Sequence, residues 1–221
     1  MAGMLQPAGA KGEVTITEPD RGARTVARRS AESRATVPDV ELSVEVSVAD
    51  PAAITTGALV AASASALRAV PRANGAYRDA HFEVYSRINV GVVVATDDAY
   101  AIPTIFDADE KPSAEIDAEI GRLIARTRAG ELLAPEASGA TVTLWHPGLD
   151  GVAQATPLVI PPQAAALAAG AVREAPLVRD AAIVSGHAMT ITLACDHRIL
   201  YGPHASRLLG HIKHVIEDGT G

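Results

Sequence analysis

"LACDHRILYGPHASRLL", residues 193–209, holds three kinds of structure within seventeen positions. It reads as the end of a strand, a tight turn and an amphipathic helix. His197 stands where the strand pattern breaks, a position from which a side chain can point into a cleft. Gly202 can adopt backbone dihedrals closed to other residues. On a strand, residues two apart share a face at a separation of about 6–7 Å, so Cys195 and His197 are too far apart for a direct thiol–imidazole hydrogen bond. Cys195 therefore reads as a small buried core thiol and not as a nucleophile.

Working back from this stretch, the chain alternates strand and helix signals. "VPDVELSVEVSV" alternates, with Val40, Leu42, Val44, Val46 and Val48 on one face and Glu41, Ser43, Glu45 and Ser47 on the other. An Ala-rich helix follows, with Asp50 as its cap and Pro51 in its first turn. "SRINVGVVVATDDAYAIPTIF" reads as two strands joined by a polar turn around Asp97–Asp98. "KPSAEIDAEIGRLIARTRAG" reads as a helix capped by Ser113, with the stripe Ile116, Ile120, Leu123 and Ile124, ended by Gly130. Strands are expected over 140–146, 155–160, 164–173 and 187–195, with a hairpin around Arg179–Asp180, and a last helix over 203–217. A basic helical segment spans Arg21 to Arg34. Residues 1–20 show no period and are expected to form a flexible, loosely attached arm. The fold class is one mixed α/β domain with helices over a largely antiparallel sheet.

Composition narrows the function classes. The 221 residues are 48% hydrophobic and carry a net charge of −7, from 19 basic and 26 acidic residues. That balance gives no electrostatic reason to expect nucleic acid or an anionic membrane as partner. One cysteine excludes an internal disulfide framework and fits a reducing cytoplasm. No apolar run approaches the ~20 residues of a membrane span. Aromatic residues make up only 3%, so Ala, Val, Leu and Ile must build the core. His204, His211 and His214 on the last helix read as a solvated face and not as a metal site.

"DHRILYG" resembles the D-H-R-x-x-D-G signature of the catalytic domain in dihydrolipoamide acyltransferases, the acyltransferase components of 2-oxo acid dehydrogenase complexes. That domain has a chloramphenicol acetyltransferase-like fold. "RTVARRSAESRATVPDVELSVEVSV", "INVGVVVATDDAYAIPTI", "SAEIDAEIGRLIARTRAGEL", "GATVTLWHPGLDGV", "TPLVIPPQAAALAAGAVREAPLVRD" and "MTITLACDHR" resemble successive blocks of it, in family order, across roughly residues 21–218. The resemblance implies that His197 is a general base, taking the proton from the thiol or hydroxyl that attacks the acyl donor's thioester. It also implies a homotrimer whose active sites lie between subunits.

Two positions depart from the pattern. Tyr201 stands where the family has an aspartate that pairs with an arginine near the domain's N-terminus, so Arg28 or Arg29 would need another partner. Trp145 stands where the family has a serine that donates to the oxyanion. Such a donor is often worth ~3 kcal/mol. The indole N–H can replace it, Thr143 on the same face is a second donor candidate, or Trp145 plugs the old thiol channel. Trp145, Thr143 and Tyr201 are thus the expected substrate-binding residues. No lipoyl-lysine motif precedes the resemblance and no apolar anchor follows "HVIEDGTG". The expectation is a free-standing, cytoplasmic acyltransferase that uses acetyl-CoA as a diffusible co-substrate to acetylate a small-molecule hydroxyl, for instance a natural-product intermediate such as a tetronate primary alcohol. A trimer of about 68 kDa, three times 22.7 kDa, is expected in place of a larger shell. A non-catalytic scaffold and a detached dehydrogenase-complex core are the alternatives.

Overall fold

The computed structural model describes residues 4–9, 12–96 and 99–219; the turn expected at Asp97–Asp98 lies outside them. In chain order the elements are β1 (Met4–Gly9), β2 (Gly12–Ile16), α1 (Arg21–Thr36), β3 (Asp39–Val48), α2 (Thr56–Ala69), β4 (Gly75–Arg78) and β5 (His81–Val84). Then come β6 (Val90–Val92), β7 (Val94–Ala95), β8 (Tyr100–Ala101), β9 (Thr104–Ile105), α3 (Ser113–Arg128) and β10 (Val142–Trp145). The chain continues through β11 (Ala165–Ala169), β12 (Arg173–Arg179), β13 (Ala182–Asp196) and α4 (Gly202–Glu217).

The central sheet has seven strands: β12 and β11 pair in succession along one edge of the long β13, β3 pairs along its other edge, and β10, β6 and β9 follow β11 in that order. β10 runs parallel to β11 and β6, and the remaining pairs are antiparallel, so the sheet is mixed and largely antiparallel, as expected. Side-chain parity divides it into two faces. Val142, Leu144, Ala165, Leu167, Ala169, Ile191, Leu193 and Cys195 join the main core, on the side where α4 packs on β3 and α2 packs on α3 and α4. Ala166 and Ala194 belong to a smaller cluster with Val37 and Val159 on the opposite face, where the Ser33 hydroxyl of α1 donates to the Val159 carbonyl at 2.6 Å. Thr143 pairs with Ala166 and Trp145 with Ala168, which puts both on this α1 side.

Several expectations change in detail. Residues 155–160 do not form a strand. Pro157 removes a ladder donor within it, Pro161 and Pro162 follow directly, and Thr156 donates to Glu41 at 3.0 Å. The strand expected over 164–173 breaks at Gly170, where a Cβ would lie 2.0 Å from the Ala153 carbonyl oxygen; only glycine lets the two backbones approach. Asp50 caps a single 3₁₀ turn, Pro51–Ala53, and Thr55 caps the true helix through the Ala58 N–H. Ser113 is the first residue of α3, whose cap position is Pro112 with no side-chain bond. On β3 the expected alternation is graded: Val46 and Val48 are buried, while Val40 is exposed. Within the segment expected as an arm, β1 and β2 pair as an antiparallel hairpin.

Candidate active site

His197 follows directly on the last residue of β13. Its backbone N–H donates to the Pro38 carbonyl at 3.0 Å, which carries the β3 ladder one step past the strand end. Its neighbours hold the turn. Asp196 is 2% exposed and accepts from Arg198 Nε at 2.9 Å, Nη2 at 2.7 Å and the Arg198 backbone N–H at 3.0 Å. A buried carboxylate is tolerated when paired and hydrogen-bonded in this way. The Ile199 and Leu200 amides return to the Asp196 carbonyl, closing a compact turn with the His197 side chain exposed. Among the described residues the imidazole makes no hydrogen bond, so both nitrogens are open to a substrate.

Tyr201 is the cap residue of α4. Its hydroxyl donates to the Arg198 carbonyl at 3.4 Å, and its ring meets His197 edge-on, 5.7 Å between centroids. Arg72 lies over the Tyr201 ring at 5.0 Å and over Phe82 at 4.0 Å. A cation on aromatic faces thus occupies the surroundings of Tyr201. This cluster, and the Asp196–Arg198 lock, were not singled out in the sequence, although both lock residues are spelled out in "DHR". Cys195 is buried, with its thiol on the Val40 and Leu200 carbonyls at 3.5 and 3.6 Å. Burial, then the Asp196 and Asp39 charges, push its pKa up to about 11, which leaves it inert as a nucleophile.

Trp145 and Thr143 line a cavity of about 440 Å³ on the α1 side, with Val93, Tyr100, Ile102, Leu158 and Asp150 among its walls. Trp145 is 37% exposed, so it is not buried in the core. Thr143 is 3% exposed and its hydroxyl donates to Gln163 Oε1 at 2.8 Å. Its proton is therefore committed, and the Trp145 indole is the donor of the two that has no acceptor among the described residues. His146 faces the other way: its Nδ1 is 3.0 Å from the Thr56 hydroxyl, and burial lowers its pKa. Among the described residues no three His, Cys, Asp or Glu side chains converge as a metal site; His211 contacts Ser65 and His214 pairs with Asp218.

Register fixes the separation of the two halves. Trp145 pairs with Ala168, and Ala168 with Thr192, five residues before His197. At about 3.3 Å per residue and about 4.8 Å per strand, the Cα atoms of His197 and Trp145 are roughly 19 Å apart within one chain. One copy alone does not bring them together.

Residues 13–220 match the family described as 2-oxoacid dehydrogenases acyltransferase (catalytic domain). The chain belongs to that family. Among relatives of this acyltransferase domain is the dihydrolipoyllysine-residue acetyltransferase component of the pyruvate dehydrogenase complex of Zymomonas mobilis, 30% identical over 90% of the chain and 49% of the relative. The corresponding Bacillus subtilis component is 33% identical over 72% of the chain and 37% of its own length. The chain thus spans about half, or less, of the curated relatives it matches. A probable dihydrolipoamide acetyltransferase from Listeria monocytogenes superposes with TM-score 0.87 at 26% identity, covering 92% of this chain and 94% of that one. Chloramphenicol acetyltransferase superposes with TM-score 0.53 at 13% identity, over 86% and 94% of the two chains, which shows the shared fold.

Proposed function

We propose that the protein transfers an acyl group from coenzyme A to a small acceptor, with His197 as general base, at a site completed by a second copy. The observation that carries this reading is the exposed, unbonded His197 imidazole at the end of β13, locked from behind by Asp196 and Arg198. The imidazole takes the proton of an acceptor hydroxyl, and the oxygen attacks the thioester carbonyl. The tetrahedral oxyanion accepts from the Trp145 Nε1–H of the neighbouring copy. Collapse breaks the carbon–sulfur bond, and the imidazolium returns its proton to the departing CoA thiolate. The roughly 19 Å separation of His197 and Trp145 in one chain supports an assembly, and a trimer is the family's arrangement. A cytoplasmic setting suits the free Cys195 thiol, and the net charge of −7 favours neither nucleic acid nor anionic membranes as partners.

A second reading takes the acceptor as the thiol of dihydrolipoamide. It is favoured by the relatives, which are named dihydrolipoyllysine-residue acetyl- and succinyltransferase components. Both readings share His197 and differ in the nucleophile. Incubation with acetyl-CoA and either alkanols or dihydrolipoamide, with products read by mass spectrometry, separates them. His197→Ala is expected to lower kcat at least about 100-fold with the competent acceptor. Wild-type kcat in that variant would overturn the mechanism.

A further inference from the structure

The cavity beneath α1 does not end at Thr143. Ile102, Thr143 and Ile160 also line an adjoining hollow of about 320 Å³ whose walls include Arg28, Arg29, Glu32 and Gln163. The helix that roofs both carries five arginines and one glutamate, in a chain of net charge −7. Most of these arginines are engaged. Arg24 donates to the Pro19 carbonyl at 2.9 Å, Arg28 lies 3.9 Å from Glu32 and Arg34 pairs with Asp39 at 3.1 Å. Arg29 makes no ion pair or hydrogen bond among the described residues. Of these two hollows, Asp150 borders the Trp145 one and Arg29 the adjoining one; Arg29 also lines a third hollow with Arg21 and Tyr100. The trough is therefore apolar around Trp145 and polar in the adjoining hollow, which carries a guanidinium with no partner among the described residues.

We propose that the acceptor carries a carboxylate, or a comparable planar oxyanion, that pairs with Arg29 while its nucleophilic hydroxyl or thiol lies at Trp145. The inference rests on the acyl-transfer reading above for the nucleophile, and on the trough alone for the charge. An acidic protein repels anions except where a local cation attracts them, and a guanidinium fork matches a carboxylate with two hydrogen bonds. Thr143 and Trp145 are two residues apart on β10, about 7 Å, and Arg29 lines the adjoining hollow together with Thr143. An acceptor with about eight atoms between nucleophile and anion is longer than the Trp145–Thr143 step and so reaches into the adjoining hollow.

Two pairs of probes differ in charge alone: 8-hydroxyoctanoate against 8-hydroxyoctanamide, and dihydrolipoate against dihydrolipoamide. Their binding to the intact protein is measured by isothermal titration, which needs no turnover. Each acid is expected to bind at least about 10-fold more tightly than its amide. Arg29→Gln should abolish that ratio, Arg29→Lys should keep part of it, and Arg24→Gln should leave it unchanged. Tight binding of the acids without acylation would defeat the acyl-transfer reading and leave this one standing. Equal affinities, a ratio that survives Arg29→Gln, or no binding of either acid at millimolar concentration would overturn it.

Discussion

Cys195 shows how a buried group beside His197 reports on the integrity of the turn. Its thiol titrates near 9.0 when free and is pushed up to about 11 in the fold by burial, then by Asp196 and Asp39. A raised pKa means that the folded state keeps the proton while the unfolded chain loses it. The associated stability is full below about pH 9, and falls as pH rises from there to about 11. Denaturant titrations across that window should show a steeper loss in the native protein than in Cys195→Ala; Tyr85, raised by burial and Glu83, contributes equally to both. Parallel slopes would contradict the assignment. At this scale the sequence was legible where chemistry is local. His197 stands at a strand end, and Cys195 reads as core from its spacing. The commitment of Thr143 to Gln163 was not legible, because its partner lies twenty residues away and the direction of a hydroxyl is set by tertiary contacts.

Between elements, the contact of α2 with α3 depends on Gly57. A Cβ there would lie 2.5 Å from Asp117 Cγ and 2.6 Å from the Ser113 carbonyl oxygen. The Asp117 carboxylate accepts from the Gly57 N–H at 2.7 Å and from the Thr55 hydroxyl at 2.5 Å, satisfying open donors at the start of α2 and complementing its dipole. Gly57→Ala must push α3 away, and is expected to cost about 1–3 kcal/mol, read as a lowered thermal midpoint. An unchanged midpoint would contradict the packing. The two small hairpins show what could be read and what was passed over. "RDA" recurs at 78–80 and 179–181, and in both Asp and Ala have positive φ, 48° and 61° at Asp79–Ala80 and 49° and 62° at Asp180–Ala181. These are the twist-matched turns of two-residue hairpins. The second was read from its flanking strands. The first, joining β4 to β5, was missed because exposed Phe82 and Val84 give the strand no clear buried face. Residues 155–160 misled in the opposite sense, being largely apolar but interrupted by Pro157, which lacks the amide donor a ladder needs.

For the whole molecule, family membership and the mixed sheet were legible because six blocks in order share one reading, whereas the distance between His197 and Trp145 emerges only from strand register. On the proposed mechanism, that distance makes assembly a requirement. Light scattering coupled to gel filtration should give about 68 kDa, three times 22.7 kDa; a monomer would undermine the proposed site. The central claim, that His197 of one copy works with Trp145 of another, is tested most directly by subunit mixing. His197→Ala removes the base, and Trp145→Asp replaces the indole donor with a carboxylate that repels the oxyanion. Each variant alone is expected to be inactive. In a three-fold ring that pairs His197 of each subunit with Trp145 of the next, random exchange at equal concentration restores about one site in four. Recovery of about a quarter of native activity is the predicted result, and exchange confirmed by mass without any recovery would contradict it.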